Sequence, residues 1–326
     1  MTFSAIDSYS PLTTEPEAFA RFWRATIDNT LDIEPMPVMA RQKAPADGLT
    51  LDHVSYQSLG GQSISAYLLA HDSAEPRPLV VHSHGYNSQY DIMLHWALAG
   101  CHVFGIDFRG FGRSAGLPLA RGGYILTGIE SPQTSILRGA VADLVQGMRT
   151  AQALLGWRAP RLVLKGFSFG GAMALMAAAF HPAADFLVVG QPTLGWHRER
   201  LRLARAGSSA ELKACFEREP EGEAAAMRTL EFFEALHFAA RISTPTLLGV
   251  GLDDEVVPSR SVMAIANQLP EQITELRILP VAHSDDPRES LWAEFDREWL
   301  TLSTDGLPAD FGGEARRVAT LERATA

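Results

Sequence analysis

The sequence has little cysteine. Two residues in 326, Cys101 and Cys215, make no disulfide framework, and their spacing fits no metal motif. They read as buried thiols in a reducing compartment. Basic charge is also short: Lys+Arg 28 against Asp+Glu 38 leaves a formal net charge of −10. That balance argues against a nucleic-acid partner, because a phosphate backbone is met by a basic face. No apolar run approaches the roughly 18–20 residues needed to cross a bilayer, so no membrane partner is expected. Residues Met1 to Pro16 carry acids and no basic region before an apolar stretch, unlike a secretory signal. The expected location is the cytoplasm. Internal repeats and low-complexity segments are missing as well.

What is present is ordinary for a globular chain: 46% apolar and 20% charged residues. A chain this long can bury one large α/β domain, or at most two. Residues 17–31 (EAFARFWRATIDNTL) carry apolar residues near helical spacing and predict an amphipathic helix. A polar stretch follows. Residues 49–70 (LTLDHVSYQSLGGQSISAYLLA) predict two strands around Gly60-Gly61. Beyond them, short apolar runs alternate with helical patterns. The predicted strands are LVVHS (79–83), HVFGID (102–107), RLVLK (161–165), FLVVG (186–190), TLLGV (246–250) and ELRILP (275–280). Helices are predicted at 134–155, 169–180, 221–240, 259–268 and 287–300. Strands apolar on both faces are buried parallel strands. The expected fold class is therefore α/β: a doubly wound, mostly parallel sheet with helices on both faces. The long gap 191–245 is mostly helical and is expected to be an insertion, a cap or an interface. From 302 the chain has Gly, Pro and charge but little apolar pattern. We therefore expect a single domain over 1–301, the N-terminal helix and hairpin included, and a partly disordered tail over 302–326.

Chemistry is concentrated in RLVLK-GFSFGG-AMALMAAAF: a strand, a glycine-flanked serine and a helix. Gly166-Phe167-Ser168-Phe169-Gly170 has the G-x-S-x-G pattern of a nucleophile elbow. The sharp reversal strains the serine backbone and needs small flanking residues, because strand and helix come close together. Such a serine requires a base, and the base requires an orienting acid. The expected chain order is Ser, acid, His. Of ten histidines, only His283 follows residue 237, just after a predicted strand. Asp253 and Asp254 both follow the run TLLGVGL. Asp254 is preferred for its spacing to Pro258, with Asp253 as a turn or capping residue. The oxyanion donors are expected to be the backbone N–H groups of Phe169 and of Tyr86, the latter in the loop after LVVHS. His82 and His84 lie two apart, but no third ligand has a recognisable spacing, so packing is favoured and no metal is expected. Gly110-Phe111-Gly112-Arg113-Ser114-Ala115-Gly116 imitates a dinucleotide fingerprint. It has one residue too many before the last glycine, and Leu117-Pro118 follows in place of a helix, so it reads as a loop.

With these residues in place, the sequence resembles the acetyl xylan esterase/cephalosporin C deacetylase family, carbohydrate esterase family seven of the α/β-hydrolases. The likeness runs from the N-terminal helix to about residue 300. It is carried by HGYNSQYD (84–91), HWALAGCHVFGIDFRGFGRSAG (95–116), GFSFGGAMALMAAA (166–179), residues 227–269 and AHSDD (282–286). Transferred position by position, the family's triad falls on Ser168, Asp254 and His283, and its oxyanion donors on Tyr86 and Phe169. Three departures stand out. The family usually has Arg-Gly-Gln where this chain has Arg109-Gly110-Phe111, Gln where it has Phe169, and His-Glu where it has His283-Ser284. Arg109 and Phe111 are expected at the substrate pocket or as loop support, with Arg109 free to pair with Asp285 or Asp286. The two phenylalanines are expected to make the site drier and to favour a somewhat larger acyl group.

The resemblance implies a cofactor-free serine esterase that removes short acyl groups, acetyl first, from a sugar or small-molecule alcohol. It also implies a ring-like hexamer inside the cell. Alternatives are another hydrolase on the same triad (thioesterase, lactonase or peptidase) and a non-catalytic binding module. Halide-releasing and epoxide-opening chemistries are disfavoured, since they use an aspartate where this chain has serine.

Overall fold

A computed structural model describes residues 13–283, 290–313 and 317–320. The elements run α1 (Phe19–Leu31), β1 (Val38–Gln42), β2 (Leu49–Ser58), β3 (Gln62–His71), β4 (Leu79–Ser83), α2 (Leu94–Leu98) and β5 (His102–Ile106). They continue with α3 (Ile136–Leu155), β6 (Leu162–Phe167), α4 (Phe169–Phe180), β7 (Phe186–Gly190), α5 (His197–Leu203), α6 (Gly207–Arg218), α7 (Glu223–Leu230) and α8 (Ala235–Ala239). The last elements are β8 (Thr246–Gly251), α9 (Ser259–Ala266), β9 (Thr274–Leu279), α10 (Ser290–Asp305) and β10 (Arg317–Thr320). Among the described residues, the ten strands join one sheet in the order β1-β2-β3-β5-β4-β6-β7-β8-β9-β10. The hairpin β2–β3 and its neighbours β1 and β5 pair antiparallel, and the rest of the sheet is parallel.

The parallel centre explains the sequence pattern. Strands β4, β5, β7, β8 and β9 are buried along their whole length, so no polar alternation is needed. One face packs on α1, α3, α4, α8 and α9, and the other on α2 and α10. Helix α4 is buried from Phe169 through Ala178, which its run of Ala and Gly allows; a helix apolar all round belongs in a core. The Ser135 hydroxyl caps α3 by accepting the Leu137 N–H, as N-cap serines do.

Three parts differ from the expected layout. Strand β1 falls in the polar stretch, and all five of its residues are exposed. The helix expected over 221–240 is broken into α7 and α8 by a turn at 231–234. The domain boundary at 301 cuts through α10, and residues 317–320 pair parallel with β9, Arg317 opposite Glu275. The segment between β7 and β8 is helical, holding α5 to α8. Parallel strands all point their carboxyl ends to one edge, where the loops after β4, β6, β8 and β9 meet.

Candidate active site

Ser168 is the single residue between β6 and α4, with φ 55° and ψ −115°. For a side-chain-bearing residue this is strained backbone, sustained only where the surroundings hold it. They do: its N–H donates to the Gly190 carbonyl at 2.9 Å, and its carbonyl accepts from Ala172 at 3.1 Å and Thr193 at 3.2 Å. A Cβ at position 166 would lie 2.2 Å from the Gly170 carbonyl oxygen, and one at 170 would lie 2.7 Å from the Ser83 carbonyl oxygen. Both obstacles are backbone, so only glycine fits.

Asp254 follows β8. Its Oδ1 accepts the N–H groups of Val256 and Val257, each at 2.8 Å. Its Oδ2 faces His283 Nδ1 at 2.5 Å, and the carboxylate side chain is 0% exposed. With two backbone donors on one oxygen, the carboxylate has one free orientation, and that presents the other oxygen to the imidazole. Nδ1–H is thereby fixed as the donor, and Nε2 is left as the basic nitrogen. The imidazole lies against the ring of Phe167, centroids 5.2 Å apart, and Phe167 immediately precedes Ser168. Phe167 is edge-on to Trp292, whose indole N–H donates to the Ala282 carbonyl next to His283. The Asp253 N–H donates to the Val281 carbonyl at 3.1 Å, tying the acid loop to the histidine loop. The structure thus brings Asp254 and His283 into contact and seats the imidazole beside the elbow.

The Phe169 N–H is the first of α4 and has no acceptor within the helix. The positive end of the helix dipole lies there as well. Tyr86 sits in the loop after β4. That loop is held by the buried Asp107, whose Oδ1 accepts the Tyr90 N–H at 2.6 Å and whose Oδ2 accepts the Arg113 N–H at 2.8 Å. His84 Nδ1 donates to the Gly85 carbonyl at 2.7 Å, while Nε2 accepts the Phe108 N–H at 3.1 Å. Burial pushes the His84 pKa down, which keeps it neutral for both bonds. His82 pairs with the Tyr67 hydroxyl at 2.7 Å. Both histidines therefore serve the packing of this edge. Among the described residues no cluster of three or more His, Cys, Asp or Glu is arranged to hold a metal.

The pairing expected between Arg109 and Asp285 or Asp286 lies outside the described residues; among the described residues Arg109 binds Asp143 of α3. Arg109 Nε meets Asp143 Oδ2 at 2.9 Å, Nη2 meets Oδ1 at 2.7 Å, and a third bond reaches the Leu59 carbonyl at 3.0 Å. This planar, two-pronged pair braces the 109–113 loop from behind. The phenylalanines also point inward. Phe111 is 7% and Phe169 1% exposed, so neither ring forms the wall of an open acyl pocket. Phe111 stacks on Tyr124 at 4.1 Å, and both phenylalanines meet the Tyr86 ring edge-on. They floor the loop that carries Tyr86. Asp107 and Asp143 were not singled out from the sequence. The available signal was an acid within an otherwise apolar stretch, in VFGIDF and in GAVADLV.

A family model described as acetyl xylan esterase matches residues 1–296. The chain is similar to the acetyl esterase Axe7A of Xylanibacter ruminicola, 22% identical over 314 residues, which cover 90% of this chain and 66% of that protein. It is also similar in structure to an acetyl xylan esterase from Paenibacillus sp. R4, with TM-score 0.80, 24% identity, and coverage of 91% of this chain and 99% of that one. Acetyl xylan esterase 1 from Thermoanaerobacterium sp. JW/SL YS485 gives TM-score 0.79, 22% identity, and coverage of 91% and 98%. At these identities the likeness to solved structures establishes the α/β-hydrolase fold.

Proposed function

The chain belongs to the acetyl xylan esterase family, and from that premise we propose that it is a serine ester hydrolase taking short acyl groups, acetyl first, off the hydroxyls of sugars or small alcohols. The observation that carries this reading is the bond from His283 Nδ1 to a buried, doubly anchored Asp254, made beside a strained Ser168. Ser168 Oγ attacks the ester carbonyl as His283 Nε2 takes its proton. The C–O bond to the alcohol then breaks, and the imidazolium returns the proton to the departing oxygen. Water repeats the cycle on the acyl-enzyme. Asp254 holds the tautomer and balances the imidazolium charge. The N–H groups of Phe169 and Tyr86 receive the oxyanion, an interaction strongest in the transition state. No cofactor enters these steps.

Ser168→Ala tests the assignment. Turnover of p-nitrophenyl acetate is expected to fall about 10⁶-fold, and a variant that keeps more than a tenth of wild-type turnover overturns the reading. Acetylated xylo-oligomers and cephalosporin C, compared with butyryl and amide substrates, identify the alcohol and the acyl limit. Family likeness, the exposed Val38 (65%) and Met39 (43%) on the outer edge strand β1, and the exposed Met36 (70%) just before it support a homo-oligomer. Sedimentation equilibrium checks it; a monomer mass at micromolar concentration contradicts it.

A further inference from the structure

We propose that Glu211 is a positioning residue for the oxyanion hole: from helix α6 of the insertion it holds the Tyr86 phenol and so sets where the Tyr86 backbone N–H lies. The inference rests on the assignment of that N–H as an oxyanion donor.

The Tyr86 hydroxyl is held on both sides. It donates to Glu211 Oε2 at 2.5 Å and accepts the Ile125 N–H at 2.8 Å. Burial, and then the hydrogen bond to Glu211 and its charge, push the phenol pKa upward. The proton therefore stays on tyrosine, and the carboxylate receives a charge-assisted bond. The site is shaped around that carboxylate: a Cβ at Gly123 would lie 1.9 Å from Glu211 Oε2. Helix α6 is itself pinned. The hydroxyls of Ser208 and Ser209 accept from Arg200 Nη1 at 2.9 and 2.8 Å, and Arg200 is 1% exposed. Lys213 Nζ adds a bond to the Ala204 carbonyl at 2.6 Å. The rings of Phe111, Tyr124 and Phe169 set the plane of the Tyr86 ring. The hydroxyl contacts stop it sliding within that plane. Oxyanion donors work only when placed to within a few tenths of an ångström, and a misplacement of about 1 Å costs on the order of 100-fold in rate.

Glu211→Ala is expected to lower kcat at least tenfold on p-nitrophenyl acetate with KM within twofold, because the lost alignment matters in the transition state. Glu211→Gln, whose amide oxygen still accepts from the phenol, restores turnover to within threefold of wild type. Tyr86→Phe keeps the backbone N–H and loses both hydroxyl bonds, so it falls at least as far as Glu211→Ala. The double variant is no worse than Tyr86→Phe alone. Rates are taken per site competent for fluorophosphonate labelling, which removes any contribution from unfolded protein. The proposal is overturned if the per-site kcat of Glu211→Ala is within twofold of wild type. It is overturned equally if Gln is no better than Ala, or if the two single losses multiply. Failure of the parent reading shows separately, as turnover retained by Ser168→Ala whatever the values at position 211.

Discussion

Replacing Asp254 with asparagine tests the hydrogen-bond logic of the site with little change in shape. In the wild type, Oδ1 takes two backbone N–H groups and Oδ2 takes the imidazole Nδ1–H. The asparagine carbonyl oxygen keeps the backbone bonds to Val256 and Val257. The amide nitrogen then faces His283 Nδ1 as a donor, and Nδ1 must accept. The imidazole proton moves to Nε2, the nitrogen that takes the Ser168 proton in the proposed mechanism. The general base is lost while the loop stays in place. Triads disarmed in this way lose about 10⁴-fold in kcat, equivalent to about 5.4 kcal/mol at 1.36 kcal/mol per decade. The assay is steady-state hydrolysis of p-nitrophenyl acetate, with a thermal melt to show that the buried asparagine is still satisfied. The expected result is a kcat loss of at least 10³-fold and a melting temperature within a few degrees of wild type. A variant within tenfold of wild-type kcat refutes the tautomer argument.

Other perturbations follow from single contacts. Gly170→Ala pushes a Cβ to 2.7 Å from the Ser83 carbonyl oxygen; overpacking of this kind costs about 1–3 kcal/mol, and a urea midpoint equal to wild type contradicts it. Arg109→Ala leaves the fully buried Asp143 carboxylate without its partner, a loss of about 3–5 kcal/mol by precedent for broken buried pairs. Its KM for p-nitrophenyl acetate stays near wild type, whereas an arginine that touched substrate would raise it. Burial pushes His102 down to about 4 from 6.5, so the unfolded chain binds this proton and the folded one does not between those values. Stability from His102 is therefore complete above pH 6.5 and is lost as pH falls toward 4. His102→Gln should flatten that acid limb in denaturant titrations, and an unchanged slope speaks against it.

The centre of the fold was legible because strands buried on both faces must be apolar throughout; β4 and β7 lie at the residues where the apolar runs predicted them. Strand β1 left no such mark. Its five residues are exposed, and it is a strand because Val38 through Gln42 pair with Ser55 through Leu51. The break between α7 and α8 is also tertiary: Glu234 accepts the N–H groups of Trp196 and His197, from a distant turn. The elbow could be read because its glycines answer to backbone contacts that any such turn creates. The acid beside Arg109 could not, since pairing with Asp143 depends on how α3 lies under the 109–113 loop. The inward direction of Phe111 and Phe169 was hidden for the same reason. Sequence spacing says which loop bears a ring, and packing decides which way it turns.

The central claim is that one nucleophile, Ser168, is activated by His283 and Asp254. Fluorophosphonate labelling of the native protein, followed by peptide mapping, measures this directly. The predicted result is a single adduct on the Ser168 peptide, absent in Ser168→Ala and greatly slowed in His283→Ala. An adduct on another residue, or equal labelling of Ser168→Ala, would contradict the account.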